Sequence, residues 1–126
     1  MNLKNIHHVA IICSEYKKSK EFYTKILGLE IIREVYRKER ESYKLDLKLG
    51  DSQIELFSFP NAPERPSYPE ACGLRHLAFQ VDDVEQTVGE LQSKGIKVED
   101  IRIDEFTRKK FTFFFDPDGL PLELYE

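Results

Sequence analysis

The stretch IHHVAIICSE at residues 6–15 has a second copy in LRHLAFQVDD at residues 74–83. When the two are aligned, His8 falls on His76, and the flanking apolar residues fall on apolar residues. The same offset of 68 residues, the distance from position 8 to position 76, aligns SQIELF with LPLELY and places Glu55 on Glu123. Because two separate matches share one offset without a gap, the sequence indicates an internal duplication.

Each half has the same predicted order of elements, β-α-β-β-β. A β-branched, apolar strand is followed by an amphipathic helix and then by three more strands. We expect Ser14 to cap the first helix and Asp82 or Asp83 to cap the second, with Gly28 and Gly95 ending them. The predicted strands cover residues 6–13, 29–39, 42–50 and 52–59 in the first half, and 74–81, 96–103, 110–115 and 120–126 in the second.

The duplication predicts one α+β domain over residues 1–126, built from two tandem βαβββ modules. Module one covers about residues 5–60 and module two about residues 73–126. Between them, at about residues 60–72, lies a proline-rich linker, since four prolines in a short stretch are unfavourable in a helix or a central strand.

Composition narrows the classes of function. The chain has 126 residues, of which 40% are hydrophobic and 33% charged, with a formal net charge of -4, as in a soluble globular domain. The acidic balance argues against nucleic acid as a general partner, and no apolar run is long enough to span a membrane. The beginning of the sequence lacks the pattern of a secretory signal, so we expect a cytoplasmic protein whose two cysteines are reduced thiols.

Of the neighbouring histidines at positions 7 and 8, the repeat favours His8 as the functional one. Position 76 keeps the histidine, whereas the counterpart of His7 is Arg75. Since side chains alternate across a strand, His7 and His8 point to opposite faces. We therefore interpret His7 as a partly exposed or interface residue.

The glutamates at 55 and 123 lie between large apolar residues, where a carboxylate needs a hydrogen bond, an ion pair or a cation. If the two halves are related by a pseudo-twofold axis, His8, Glu55, His76 and Glu123 would converge. Two imidazoles and two carboxylates suit one divalent ion such as Ni, Zn, Co, Mn or Fe. Taken singly, each of these residues is better explained by an ordinary strand position, and it is the shared offset that favours a metal site.

From IHHVAI through GLRHLAFQVDD to DPDGLPLEL, the chain resembles the vicinal oxygen chelate superfamily, which includes glyoxalases, bleomycin resistance proteins and dioxygenases. The resemblance implies eight strands in a curled mixed sheet around a metal-containing cavity, with the same four residues as ligands. The His/Glu/His/Glu set is most similar to that of glyoxalase I, the lactoylglutathione lyase. Ile12 and Phe59 stand where bacterial glyoxalase I enzymes commonly carry an Arg and an Asn for glutathione, so the resemblance does not extend to glutathione specificity.

The resemblance also implies the chemistry, which is proton abstraction next to a metal-chelated carbonyl of a small-molecule substrate. We expect Glu123 to act as the base and Glu55 mainly as a ligand, although the pseudo-symmetry leaves the reverse assignment open. Arg108 and Lys109, which precede an aromatic strand, are candidates for binding an anionic substrate, and Phe113 is a candidate for the cavity wall. A solvated loop and ordinary core packing are the alternatives for these three residues.

Other members of the superfamily supply the alternatives. Methylmalonyl-CoA epimerase has related chemistry but typically carries Gln where this chain has Glu55. A non-catalytic binding or resistance protein would not need the four ligands, and an iron dioxygenase usually binds its metal through three. A two-module chain of this size would expose a sheet edge, so we expect a homodimer, with the modules paired within one chain or exchanged between two.

Overall fold

The computed structural model describes all residues from Met1 to Glu126 and divides the chain into two compact units, Met1–Glu64 and Arg65–Glu126. Each unit contains one helix and four strands, and each forms its own four-stranded mixed sheet. The predicted α+β fold of two tandem βαβββ modules is therefore confirmed. That the eight strands enclose a metal-containing cavity remains a prediction.

In the first unit the first strand forms one edge of the sheet, and the last strand lies next to it. The strand order is β1-β4-β3-β2, with β1 parallel to β4 and the other neighbours antiparallel. A π-helical turn over Phe22–Ile26 extends α1, and a short 3₁₀ turn joins β2 to β3. The elements are β1 (His8–Cys13), α1 (Tyr16–Glu21), β2 (Glu30–Arg37), β3 (Ser42–Leu49) and β4 (Ser52–Ser58).

The second unit repeats this arrangement. Its strand order is β5-β8-β7-β6, again with the first and last strands parallel. The elements are β5 (Leu77–Gln80), α2 (Val84–Ser93), β6 (Arg102–Ile103), β7 (Lys110–Phe115) and β8 (Pro121–Tyr125). Asp83 caps α2 as expected, since its Oδ1 accepts a hydrogen bond of 2.9 Å from the backbone N–H of Gln86.

Alternation along the strands separates an apolar face from a polar face in the first sheet. Leu45 and Leu47 of β3 and Ile54 and Leu56 of β4 are fully buried, and α1 packs against β4 on the helical side of the unit. The residues between them, which include Glu55, point to the opposite face. The apolar face thus forms the hydrophobic core of the unit, and Glu55 lies on the face that points away from this core.

Two predicted elements differ from the structure. The expected strand over residues 96–103 is reduced to Arg102–Ile103. Before it, the contact with β7 is irregular: the hydroxyl of Thr112 donates to the carbonyl oxygens of Glu99 and Asp100, and the N–H of Glu99 donates to the carbonyl oxygen of Phe113. The first helix begins after Glu15, whose backbone is extended and whose side chain makes no capping bond, and not after Ser14. Val84, Val88 and Leu91 form the buried face of α2.

None of the helices has the length and apolar character that crossing a membrane requires.

Candidate metal-binding pairs

A histidine and a glutamate meet on the polar face of the first sheet. Strand β1 runs parallel to β4, and Ala10 lies opposite Glu55. His8, two residues before Ala10, therefore lies on the same face of the sheet as Glu55. The Nε2 atom of His8 lies 3.0 Å from Oε2 of Glu55. The histidine side chain is 43% exposed and the glutamate side chain 15%, so the ring remains open to solvent while the carboxylate is largely enclosed.

The second unit builds the same pair from the repeat-related residues. His76 immediately precedes β5, and Glu123 lies opposite Ala78 in the neighbouring parallel strand β8. The distance from Nε2 of His76 to Oε2 of Glu123 is again 3.0 Å. The ring of Phe113 packs edge-on against His76, with the ring centres 5.2 Å apart.

The 3.0 Å between the donor atoms of each pair is an ordinary hydrogen-bond length, and it is also close to the separation of two ligands of one ion. Adjacent ligands at right angles, with metal–donor bonds of about 2.0–2.2 Å, are separated by roughly 3 Å. Imidazole nitrogen and carboxylate oxygen are both suitable donors for a first-row divalent ion. Nowhere does the structure gather three or more His, Cys, Asp or Glu side chains in a metal-binding cluster, so each pair offers two ligands by itself.

His7 contributes to the first pair in a way that the sequence did not suggest. Although it is exposed, its Nδ1 lies 3.0 Å from Nδ1 of His8, and the two rings meet edge to face. The pair in the second unit has no equivalent, since Arg75 points to the backbone carbonyl of Ser67 and towards Glu70. One ring nitrogen of His8 is thus occupied by His7, and the other faces Glu55.

Lys44 distinguishes the two glutamates. Its Nζ lies 2.8 Å from Oε1 of Glu55 and 2.6 Å from Oδ1 of Asp46. In the second sheet Phe111 lies opposite Tyr125 as Lys44 lies opposite Phe57, so an aromatic ring takes the position of the lysine and Glu123 has no ammonium partner. The alternation of Lys44 and Asp46 with leucines was visible in the sequence, but their proximity to Glu55 depends on the register of β3 against β4.

Electrostatics keep this lysine charged. The hydrogen bond to Asp46, and then the one to Glu55, raise the pKa of Lys44 above its ordinary value. Burial of Asp46 opposes its ionisation, but the hydrogen bonds from Lys44 and Arg33 outweigh that effect and lower the pKa of the Asp46 carboxyl. Arg33 reaches Asp46 through Nη2 at 3.0 Å. Charges therefore alternate in sign across the sheet from Arg33 to Glu55.

We expect Asp46→Asn to lower the free energy of unfolding by about 1–3 kcal/mol at pH 7, because it removes a buried charged hydrogen-bond acceptor. A carboxyl whose pKa is lower in the folded state stabilises the protein above its unfolded pKa, and that stability is lost as the pH falls through the folded value. The difference between wild type and variant should therefore shrink below about pH 4. Urea unfolding at a series of pH values measures it.

The matched control for this experiment is Asp51→Asn, which removes an exposed carboxylate from the turn between β3 and β4. It should leave the free energy of unfolding within about 0.5 kcal/mol of wild type. A gap between wild type and Asp46→Asn that stays constant from pH 3 to pH 7 would contradict the role assigned to ionised Asp46.

The structure does not bring all of the predicted site residues together. Phe113 lies against His76 as described, whereas Arg108 and Lys109 lie in the turn between β6 and β7 with exposed side chains that make no ion pair. In that turn Arg108 has a positive φ of 64°, and its backbone N–H donates to the carbonyl oxygen of Asp104. Their proposed contact with substrate therefore remains a prediction.

Comparison with known proteins identifies one superfamily over nearly the whole chain. The family model of the Glyoxalase/Bleomycin resistance protein/Dioxygenase superfamily matches residues 5–124. The uncharacterized protein YwkD of Bacillus subtilis is 64% identical over 127 residues, which span 100% of this chain and 99% of that protein. The crystal structure of the glyoxalase family protein from Enterococcus faecalis is 56% identical, with a TM-score of 0.94 over 100% of both chains. The mitochondrial methylmalonyl-CoA epimerase of Bos taurus is 28% identical over 102 residues, or 77% of this chain and 58% of that protein.

Proposed function

The chain belongs to the Glyoxalase/Bleomycin resistance protein/Dioxygenase superfamily, and on that premise we propose that it is a metal-dependent lyase or isomerase of glyoxalase type. It would move a proton between carbon atoms next to a carbonyl group of a small-molecule substrate. The observation that carries the proposal is the repetition of one His–Glu pair, with the same 3.0 Å spacing, in both units. Together, two such pairs would provide four protein ligands for one divalent ion.

We assign His8, Glu55, His76 and Glu123 as the ligands of a divalent ion such as Ni, Zn, Co, Mn or Fe. When bound, the ion would act as a Lewis acid that polarises a chelated carbonyl and lowers the cost of removing the neighbouring proton. For His8 to bind through Nε2, its proton must lie on Nδ1, where the acceptor is Nδ1 of His7. His7 therefore orients the ligand, as hydrogen-bond partners of metal-bound histidines commonly do.

Of the two glutamates, Glu123 is the better candidate for the base. Glu55 is held by two partners, since one oxygen faces His8 and the other accepts from Lys44. Glu123 has His76 as its one polar partner. A base must approach the substrate carbon, accept its proton and return it to the adjacent carbon, so it needs freedom to change partners. Lys44 restricts that freedom for Glu55 and leaves it to Glu123.

One of the relatives described above favours a second candidate within the same chemistry. Similarity to a methylmalonyl-CoA epimerase supports an isomerase that inverts a carbon next to an acyl thioester, in place of a lyase. Both reactions begin with removal of a proton next to a carbonyl, so both would use the same pairs. The substrate decides between them. A protein that only binds small molecules is the non-catalytic alternative.

We also propose a cytoplasmic homodimer. Strand β2 is an edge of the first sheet, and Ile31, Ile32, Val35 and Tyr36 on it are 41–50% exposed. An edge strand with exposed apolar side chains is prone to pair with another chain, and a dimer interface would cover it.

The proposal is tested by calorimetric titration of tag-free, chelator-stripped protein with Ni and Zn. We expect one tightly bound ion per complete set of four ligands. The metal-loaded protein is then incubated in deuterated water with α-ketoaldehyde–thiol adducts and with acyl-CoA epimers, and exchange at the carbon next to the carbonyl is followed by NMR. If no metal binds, the proposal of a metal-dependent enzyme is wrong. If the metal binds but neither the thiol adducts nor the acyl-CoA epimers exchange, the proposed substrate classes are wrong.

A further inference from the structure

Arg102 lies over two aromatic rings, on the same face of the second sheet as Glu123. Its guanidinium carbon is 4.9 Å from the ring centre of Phe111 and 5.5 Å from that of Phe113. The pairing of β6 with β7 sets this position, because Arg102 lies directly opposite Phe111. Stacking on aromatic faces fixes the plane of a guanidinium group and leaves its N–H donors at the rim available.

These donors have no acceptor within the protein. The other basic residue in the strands of the second unit, Lys110, is paired with Glu85 at 3.3 Å, whereas Arg102 forms neither an ion pair nor a hydrogen bond. The first unit provides a contrast. There Arg37 is stacked in the same way over Phe57 and Phe59, but it donates to the hydroxyl of Ser42 at 2.7 Å. Arg102 is thus held in place without being neutralised.

Phe113 connects this cation to the candidate metal ligands. The same ring that supports Arg102 packs against His76, which faces Glu123. We propose that Arg102 binds an anionic group of the substrate, a carboxylate or a phosphate, while the reacting end of the same molecule lies at the His76–Glu123 pair. The second half of this statement rests on the proposed function, but the anion site itself does not.

The chemistry of the group supports this choice of ligand. A guanidinium offers two parallel N–H donors that match the two oxygens of a carboxylate or phosphate, and a stacked guanidinium loses less freedom on binding than a mobile one. The apolar rings beside it would pack against the carbon chain that joins the two ends of the substrate. The substrate class is therefore a small carbonyl compound with a negatively charged group several bonds from the reacting carbon.

The anion site is tested first in metal-free protein. Inorganic phosphate and glutarate are titrated separately, and the Nε–H signal of Arg102 and the ring signals of Phe111 and Phe113 are followed by NMR. We expect saturable shifts with at least one of the two anions, and their loss in Arg102→Gln. Lys97→Gln, which removes an exposed positive charge from a loop of the same unit, should leave the shifts unchanged.

The link to the reacting end is tested in metal-loaded protein with two ligands of equal length, 2-oxoglutarate and 2-oxopentanoate, which differ in the distal carboxylate. Wild type should bind 2-oxoglutarate at least tenfold more tightly. Arg102→Gln should abolish that preference, Arg102→Lys should keep part of it, and both should bind the metal as wild type does. Circular dichroism and thermal melting confirm that the variants are folded.

The outcomes separate the two proposals. If the metal does not bind but the anion shifts occur at Arg102, the proposed function fails and the anion site stands. If the metal binds and the anions shift no signal of Arg102, the anion site is wrong. If the anion-induced shifts are lost in Arg108→Gln and retained in Arg102→Gln, the anion site at Arg102 is also wrong, because the anion would then bind in the turn between β6 and β7.

Discussion

Replacing His76 by alanine is expected to abolish tight metal binding. Loss of a hydrogen-bond partner of a metal ligand typically lowers metal affinity by roughly 10–100-fold. Loss of the ligand His76 itself should lower the affinity for Ni or Zn by more than this. The physical reason is the loss of one of four donors, since Glu123 would remain with no imidazole beside it. Calorimetry of chelator-stripped protein measures the affinity, and thermal melting in the absence of metal shows whether the fold is retained.

The repeat supplies the matched variants for this experiment. His8→Ala should weaken binding as much as His76→Ala, because the two residues occupy equivalent positions with the same 3.0 Å spacing to their glutamates. His7→Ala should have a smaller effect, since His7 contacts His8 and not the carboxylate. If only one of the two variants, His8→Ala or His76→Ala, loses metal binding, the four residues do not share one site, and each pair would be a separate site of two ligands.

The positions of the two pairs could be predicted from the sequence because each depends on a short-range rule that is applied twice. Alternation along a strand gives the face on which His8 and Glu55 lie, and the repeat shows that the same face is used in the second half. The parallel neighbours β1 and β4, and β5 and β8, then bring each histidine to its glutamate. No knowledge of the remaining strands was needed.

Lys44 and Arg102 could not be identified in the same way. Each acts through a residue on a neighbouring antiparallel strand, and antiparallel register is fixed by contacts between distant parts of the chain. A shift of one residue would have turned Lys44 away from Glu55. Local charge density in the sequence favours Arg108 and Lys109 instead, yet both lie in a turn, and the next basic residue, Lys110, pairs with Glu85 of α2.

Glu123→Gln is expected to reduce the rate of proton exchange at the substrate carbon by about 10²–10⁴-fold when the metal is saturating, which is the range typical of losing a general base. The amide keeps the shape of the side chain and an oxygen that can bind a metal, but it cannot accept the proton. Exchange is measured by incorporation of deuterium from solvent into whichever substrate class is active, at metal concentrations well above the dissociation constant of each variant.

Glu55→Gln is the control that uses the difference between the two pairs. Because Lys44 holds the second oxygen of Glu55 at 2.8 Å, we expect this variant to lose metal affinity while the exchange rate at saturating metal falls less than in Glu123→Gln. Lys44→Met tests the cause, since releasing Glu55 should let it serve in part as the base and reduce the difference between the two glutamates. If Glu55→Gln instead abolishes exchange and Glu123→Gln retains it, the base is Glu55, and Lys44 is then the group that positions it.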